Sequence, residues 1–333
     1  MPRRKLSPER LNLLADVAEM YYLKGESQSQ IAKKLGITRS MISRMLTDAG
    51  NLGMVKIHIE RPVNRNKELE KVLFQQFELK KAIVVERPSN QPLLTSLGQA
   101  AARYIEEILK PDQILGTSWG TAISATVDEL RPERPVPGIR VVQLLGSMGA
   151  RIKQYHGIAI VQRLESKLGG EGIYLNAPFL VEDAELASVI IESKDIRETL
   201  ELGSKSDVAL LGIGSAEPSV SPHVLAGNLP EDEMQDMCDE GAIGDVCGRF
   251  FDIYGDPSSS AVQDRMIGLS LENLRKIPLR IGVSGGSHKI RPIVGALRGK
   301  HVNVLVTDAV TAQGVINFTK SKDGNPKIME GIV

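Results

Sequence analysis

Two short segments carry residue types suited to capturing an anion. In Ile114-Leu115-Gly116-Thr117-Ser118-Trp119-Gly120-Thr121-Ala122 a strand ends, a turn of small residues follows, and a helix begins. Glycine lets a ligand approach the backbone, and the free N–H groups at a helix start favour negative charge. The segment lacks the lysine of a P-loop and the spacing of a dinucleotide fingerprint. In Gly282-Val283-Ser284-Gly285-Gly286-Ser287-His288-Lys289 a second strand runs through two glycines into a helix. Lys289 falls in the first turn, where the helix dipole disfavours a cation. An anion between Lys289 and the amides accounts for that placement; an ordinary exposed lysine is the other reading.

Two further positions offer polar atoms. Asp245, in Gly244-Asp245-Val246-Cys247-Gly248-Arg249-Phe250-Phe251-Asp252, can accept hydrogen bonds from hydroxyls or cap turn backbone. Gln143 interrupts the apolar run Val141-Val142-Gln143-Leu144-Leu145 near a strand end, where parallel α/β sheets bind ligands. It serves either a ligand or a neighbouring backbone group. An enzyme acting on a ligand held here would need a positioned base and acid. Asp245 could be the base, with His288 beside Lys289 in sequence, but the pattern yields no convincing acid–base pair.

Such turns need a scaffold that ends strands and starts helices in register. Apolar, β-branched runs at 82–85, 114–115, 140–145, 208–213, 279–283 and 302–306 predict strands. Helical stretches at 93–109, 119–130, 156–168, 182–192 and 287–297 separate them. Several runs are apolar on both faces, which predicts a Rossmann-like α/β domain with a mostly parallel sheet over 81–333.

The first 62 residues read differently. Leu11, Leu14, Val17, Ala18 and Tyr21 recur at helical spacing after Ser7-Pro8, and a shorter helix follows over about 28–35. Gly36-Ile37-Thr38 makes a turn, and Thr38 caps a third helix. Ala32 is small where two helices would touch, and Ile31, Leu35, Ile37, Ile42 and Met45 supply buried positions. This is a helix-turn-helix pattern. The third helix would present Thr38, Arg39, Ser40, Ser43 and Arg44 to double-stranded DNA, the arginines to guanine or to phosphate. Alternation at Val55, Ile57 and Ile59 predicts a short strand, a wing on which Lys56 could touch backbone. Residues 63–67 read as linker, and the helix over 63–80 carries a stripe of Leu69, Val72, Leu73 and Phe77 for a dimer interface or for its own domain.

Charge follows this division. Residues 1–61 hold eleven Lys and Arg against six Asp and Glu, and the remainder thirty against thirty-five. A basic head on an acidic body suits one polyanion-binding domain. Cys238 and Cys247 show no metal-ligand spacing, so neither a metal nor a disulfide framework is expected. The basic N-terminus has no apolar stretch after it, and no run approaches the ~20 apolar residues of a membrane span. The expected location is the cytoplasm.

In these motifs, taken together and in order, the chain resembles the SorC family of sugar-responsive bacterial regulators over nearly its whole length. The helix-turn-helix, the G-T-S-W-G-T-A loop, the G-D-V-C-G-R-F-F-D segment and the S-G-G-S-H-K stretch occur in the family's order. The resemblance implies an effector domain similar to sugar-phosphate isomerases of the glucosamine-6-phosphate deaminase type, used for binding and not for turnover, with no cofactor. It also implies homo-oligomers, dimers or tetramers, on palindromic or repeated operators, with phosphorylated sugars or polyols as effectors. Carried over by motif, Gly116 and Thr117 open the loop in which Ser118, Trp119, Gly120 and Thr121 would cradle phosphate or ring oxygens. Asp245 would hold hydroxyls, and Lys289 with Gly285 and Gly286 would complete the anion site. Where relatives are richer in glycine, this chain has Gly146-Ser147-Met148-Gly149 after the Gln143 strand, so a ligand contact there stays open.

Overall fold

The computed structural model describes residues 7–55, 63–88, 90–148 and 157–321. The chain forms two compact units, Met1–Pro62 and Val63–Val333. In the first, three helices pack together: α1 (Pro8–Tyr22), α2 (Gln28–Leu35) and α3 (Arg39–Asn51). A local side chain fixes each start. Ser7 accepts from the Arg10 amide, Ser27 and Gln30 form a reciprocal capping box, and Thr38 accepts from the Met41 amide. Gly36, with φ of 65°, ends α2 in the left-handed conformation that a side chain would resist. The turn folds Ile31, Ala32, Ile42 and Met45 onto Leu14 and Val17. Of the expected strand at Val55, Ile57 and Ile59, all but Val55, and Lys56 with it, lie outside the described residues.

The second unit opens with α4 (Lys67–Gln76). Although 63–80 reads as linker, this segment is bound to the sheet edge. Leu73 is buried, and Leu69 and Phe77 rest on the core. The buried Glu70 carboxylate takes Arg65 at 2.6 and 2.9 Å, Lys67 at 3.1 Å and the Val84 amide at 3.1 Å. Burial, the largest influence, raises the Glu70 pKa, but those hydrogen bonds together hold it below the ordinary carboxylate value.

Strands and helices then alternate. β1 (Lys81–Val85), α5 (Leu93–Ile108), β2 (Ile114–Thr117), α6 (Thr121–Glu129), β3 (Arg140–Gln143), α7 (Gly157–Leu168) and β4 (Glu171–Ile173) lead to the paired helices α8 (Ala184–Glu192) and α9 (Lys194–Ser204). The chain continues through β5 (Val208–Ser215), α10 (Pro222–Leu225), α11 (Glu231–Asp239), β6 (Gly244–Val246) and β7 (Arg249–Phe251). It closes with α12 (Leu271–Lys276), β8 (Leu279–Val283), α13 (Ile290–Arg298), β9 (Val304–Asp308) and α14 (Ala309–Lys320). The main sheet runs β1-β9-β8-β5-β2-β3-β4, each neighbour parallel. The expected mostly parallel sheet is therefore present, and apolar runs such as Val304–Asp308 are buried along their whole length.

One antiparallel addition escaped the sequence pattern. β6 pairs with the far end of β5, Gly214 opposite Asp245, and β7 folds back on β6. The two-residue turn Cys247-Gly248 has positive φ at both positions, 55° and 72°, as a twisted hairpin requires. Behind it, the ring of the buried His301 lies 5.0 Å from that of Phe251, and its Nε2 meets the Gly255 carbonyl at 2.8 Å.

Burial draws the His301 pKa down to about 4, with the Gly255 bond opposing and Arg275 and Arg280 assisting. The fold therefore prefers the neutral ring, while the unfolded chain protonates near pH 6.5. Stability is complete above that value and declines as pH falls from about 6.5 to about 4, by at most ~1.4 kcal/mol per unit from this group. Trp119 is the sole tryptophan and lies in the second unit, so its emission follows unfolding there. Urea titrations should show a shallower acid loss for His301→Gln than for the parent over this window. Equal slopes would show that His301 is not responsible.

Candidate functional site

From β2 the chain steps outward to β3 and β4; β5 then returns to the other side of β2, and β8 follows beyond it. Connections leaving β2 and β5 diverge, which opens a crevice at the carboxyl ends of the strands. A cavity of about 380 Å³ lies there, bounded by the loops after β2 and β8, the end of β5, the β6–β7 hairpin and α10.

The start of α6 forms one wall. Gly120 has φ of 139°, and no side chain caps the helix, so the first-turn amides have no helical acceptor. The buried Ser118 Oγ accepts from the Gly212 amide at 3.2 Å and ties the end of β2 to β5. Trp119 donates its indole N–H to the Gly146 carbonyl at 3.1 Å and meets Phe179 edge-on at 5.5 Å.

The loop after β8 forms the opposite wall. A Cβ on Gly285 would stand 2.6 Å from Asp308 Oδ2, so only glycine fits over that carboxylate. The Gly286 amide donates to Thr311 Oγ1 at 2.7 Å and to Asp308 Oδ2 at 3.2 Å. Asp308 also caps α14, accepting from the Thr311 amide at 3.1 Å. The half-buried Lys289 closes this wall. Burial lowers its pKa, and the negative charge of Asp245 works the other way. His288 titrates lower than usual because of burial and the adjacent Lys289 charge.

Asp245 supplies the acceptor. It is buried, its Oδ2 accepts from the Gly248 amide at 3.1 Å, and its Oδ1 is 3.6 Å from Nε2 of His223. The site thus combines helix-start amides, one lysine and one buried carboxylate with an apolar wall. That combination can hold a small molecule bearing an anionic group at one end and hydroxyls along its length.

Not every expected residue belongs to the cavity. Ser118, Trp119, Gly120, Thr121, Asp245, Gly285, Gly286 and Lys289 border it. Gly116 and Thr117 do not, because they are still inside β2: Gly116 packs under Leu144 and Ser206, and Thr117 Oγ1 bonds the Ser118 carbonyl. Gln143 is also elsewhere, its Nε2 spent on the Leu145 carbonyl and Ser147 Oγ. Gly286 borders the cavity, but its amide is occupied by Asp308 and Thr311; the single 3-10 turn Ser287–Lys289 that follows has no side-chain cap. Sequence reasoning missed His223, which carries no motif and reaches the site only because α10 covers it.

In the first unit, Thr38, Arg39, Ser40, Ser43 and Arg44 are all exposed, while Ile42, before Ser43, and Met45, after Arg44, are buried. Thr38 and Ser40 hydroxyls lie 2.9 Å apart. Lys34 is paired with Glu26 at 2.7 Å.

Comparison with known proteins gives a consistent family. Residues 61–317 match the family described as "Putative sugar-binding domain". The deoxyribonucleoside regulator of Bacillus subtilis is 32% identical over 311 residues, covering 93% of this chain and 98% of that protein. The sorbitol operon regulator of Klebsiella pneumoniae is 30% identical, covering 91% and 97%. The crystal structure of that full-length regulator, SorC, matches with a TM-score of 0.69 over 92% of this chain and 98% of that chain.

The hairpin geometry makes a direct prediction. A Cβ on Gly248 would stand 2.3 Å from the Phe179 ring, and its φ is positive. Gly248→Ala should destabilise the second unit by about 1–3 kcal/mol and shift Trp119 emission through Phe179. An unchanged urea midpoint and spectrum would contradict this geometry.

Proposed function

The chain belongs to the SorC family of sugar-binding transcriptional regulators, and from that premise we propose that a phosphorylated sugar or polyol in the β2–β5 crevice controls how the first unit engages operator DNA. The observation that carries this is the pairing of Lys289 and two uncapped helix starts with a buried acceptor, Asp245, across one cavity. The phosphate lies by Lys289 and the first-turn amides of α6 and of the helical segment opened by Ser287 and His288. Hydroxyls of the effector donate to Asp245. Ser118, Trp119, Gly120, Thr121 and Gly285 shape the space.

The exposed face of α3 enters the major groove. Arg39 and Arg44 read guanine or hold phosphate, and Thr38, Ser40 and Ser43 contact bases or backbone. The units act as a homo-oligomer, dimer or tetramer, on paired half-sites. The effector binds one arrangement of the sensing units more tightly and so shifts the population, a tenfold change in operator affinity needing only ~1.4 kcal/mol of differential binding. The relatives are regulators, not enzymes, and no turnover of the effector is involved.

Electrophoretic shifts on DNA from upstream of the chain's own gene, with and without a panel of sugar phosphates, test this reading. Failure to bind any such duplex under every condition would overturn it. Lys289→Ala should weaken effector binding by about 1.5–3 kcal/mol, roughly 10- to 150-fold, with basal operator affinity unchanged. Full effector sensitivity in that variant would refute the phosphate placement. Arg44→Ala should cost about 1–3 kcal/mol of operator affinity with effector binding, read by Trp119 fluorescence, intact. Unaltered operator affinity would remove Arg44 from the DNA face.

A further inference from the structure

Beside Asp245 sits a histidine that neither the motifs nor the effector reading uses. His223, on α10, is buried, and neither ring nitrogen has a hydrogen-bond partner among the described residues. Its ring is stacked on Phe179 at 5.0 Å, with Trp119 and Phe250 each at 5.4 Å. Three aromatic rings would accommodate a phenylalanine at this position at least as well. A buried imidazole with unpaired nitrogens is costly, so its presence among apolar rings calls for a polar task. Asp245 Oδ1 lies 3.6 Å from Nε2 and is likewise buried with no hydrogen bond among the described residues.

The other limits on that carboxylate are already fixed. Gly214 lies beneath it, where a Cβ would stand 1.7 Å from Oδ1, and the Gly248 amide holds Oδ2. We propose that His223 is a positioning residue of the effector site. With its proton on Nε2 it faces Oδ1 and holds Asp245 as an acceptor on both oxygens, so the cavity selects effectors that offer a hydroxyl donor there. A ligand presenting a carbonyl or ether oxygen at the same place meets an acceptor and is rejected, because two acceptors share no proton. This rests on the effector reading above, but the pairing itself can be tested without an effector.

The full chain has five histidines, so ¹⁵N-histidine labelling gives a tractable side-chain spectrum. His223 is assigned by the signal missing in His223→Phe. The expected result is a ring protonated at Nε2 whose resonances move in Asp245→Ala, and in Asp245→Asn should alanine disrupt the hairpin. A proton on Nδ1, or resonances indifferent to both substitutions, overturns the proposal. The second arm titrates Trp119 fluorescence with sorbitol 6-phosphate, ribose 5-phosphate and fructose 1,6-bisphosphate. For any probe the parent binds, His223→Phe should weaken binding about tenfold or more, while His223→Gln, which restores an N–H, stays within about threefold. The opposite order, Phe tolerated and Gln not, marks simple apolar packing and overturns the proposal. Binding of no probe counts against the effector reading, and the labelled spectrum then decides the role of His223 alone.

Discussion

The carboxylate of Asp245 occupies the space that a side chain on Gly214 would fill, and much of the second unit is arranged around that contact. Gly214 belongs to β5, the strand at which the sheet order reverses, so the carboxylate is set into the crevice between diverging connections. Putting it there requires β6 to pair antiparallel with β5 and the chain to reverse at Cys247-Gly248. A buried carboxylate is expensive unless its lone pairs are met. Here the Gly248 amide meets one oxygen, His223 faces the other, and Lys289 contributes opposite charge.

The walls of the crevice are held from outside it. Asp308 and Thr311, at the start of α14, fix the glycine loop after β8, while Ser118 fastens the loop after β2 to β5. Lys289 and the α6 amides thus stand on loops that are tied by hydrogen bonds to α14 and to β5. At the other end of α14, Gln76 of α4 donates to Thr319 at 2.5 Å, and Glu70 anchors α4 to β1. The segment that follows the first unit in sequence is therefore packed onto the same sheet whose strand ends border the crevice.

The two loops and Lys289 were legible from sequence because a strand, two glycines and a helix start are a local pattern. So was the helix-turn-helix, whose caps at Ser27 and Thr38 and turn at Gly36 are set within a few residues. Gln143 was harder to read because an amide in an apolar run can serve a ligand or its neighbours: here its Nε2 is spent on nearby backbone and Ser147, and its Oε1 is buried with no hydrogen-bond partner among the described residues. The register of Gly116 and Thr117 misled because a strand's last residues look like the loop they precede. His223 was out of reach: it meets Asp245 across 22 residues through a short helix with no periodicity. The β6–β7 hairpin is made of three-residue strands, too short for alternation to declare itself.

The most direct measurement is a crystal structure of the chain with a phosphorylated sugar or polyol that alters its operator binding. The phosphate is predicted to lie between Lys289 and the first turn of α6, with a hydroxyl donating to Asp245. A molecule bound in reverse, or outside the β2–β5 crevice altogether, would contradict the account.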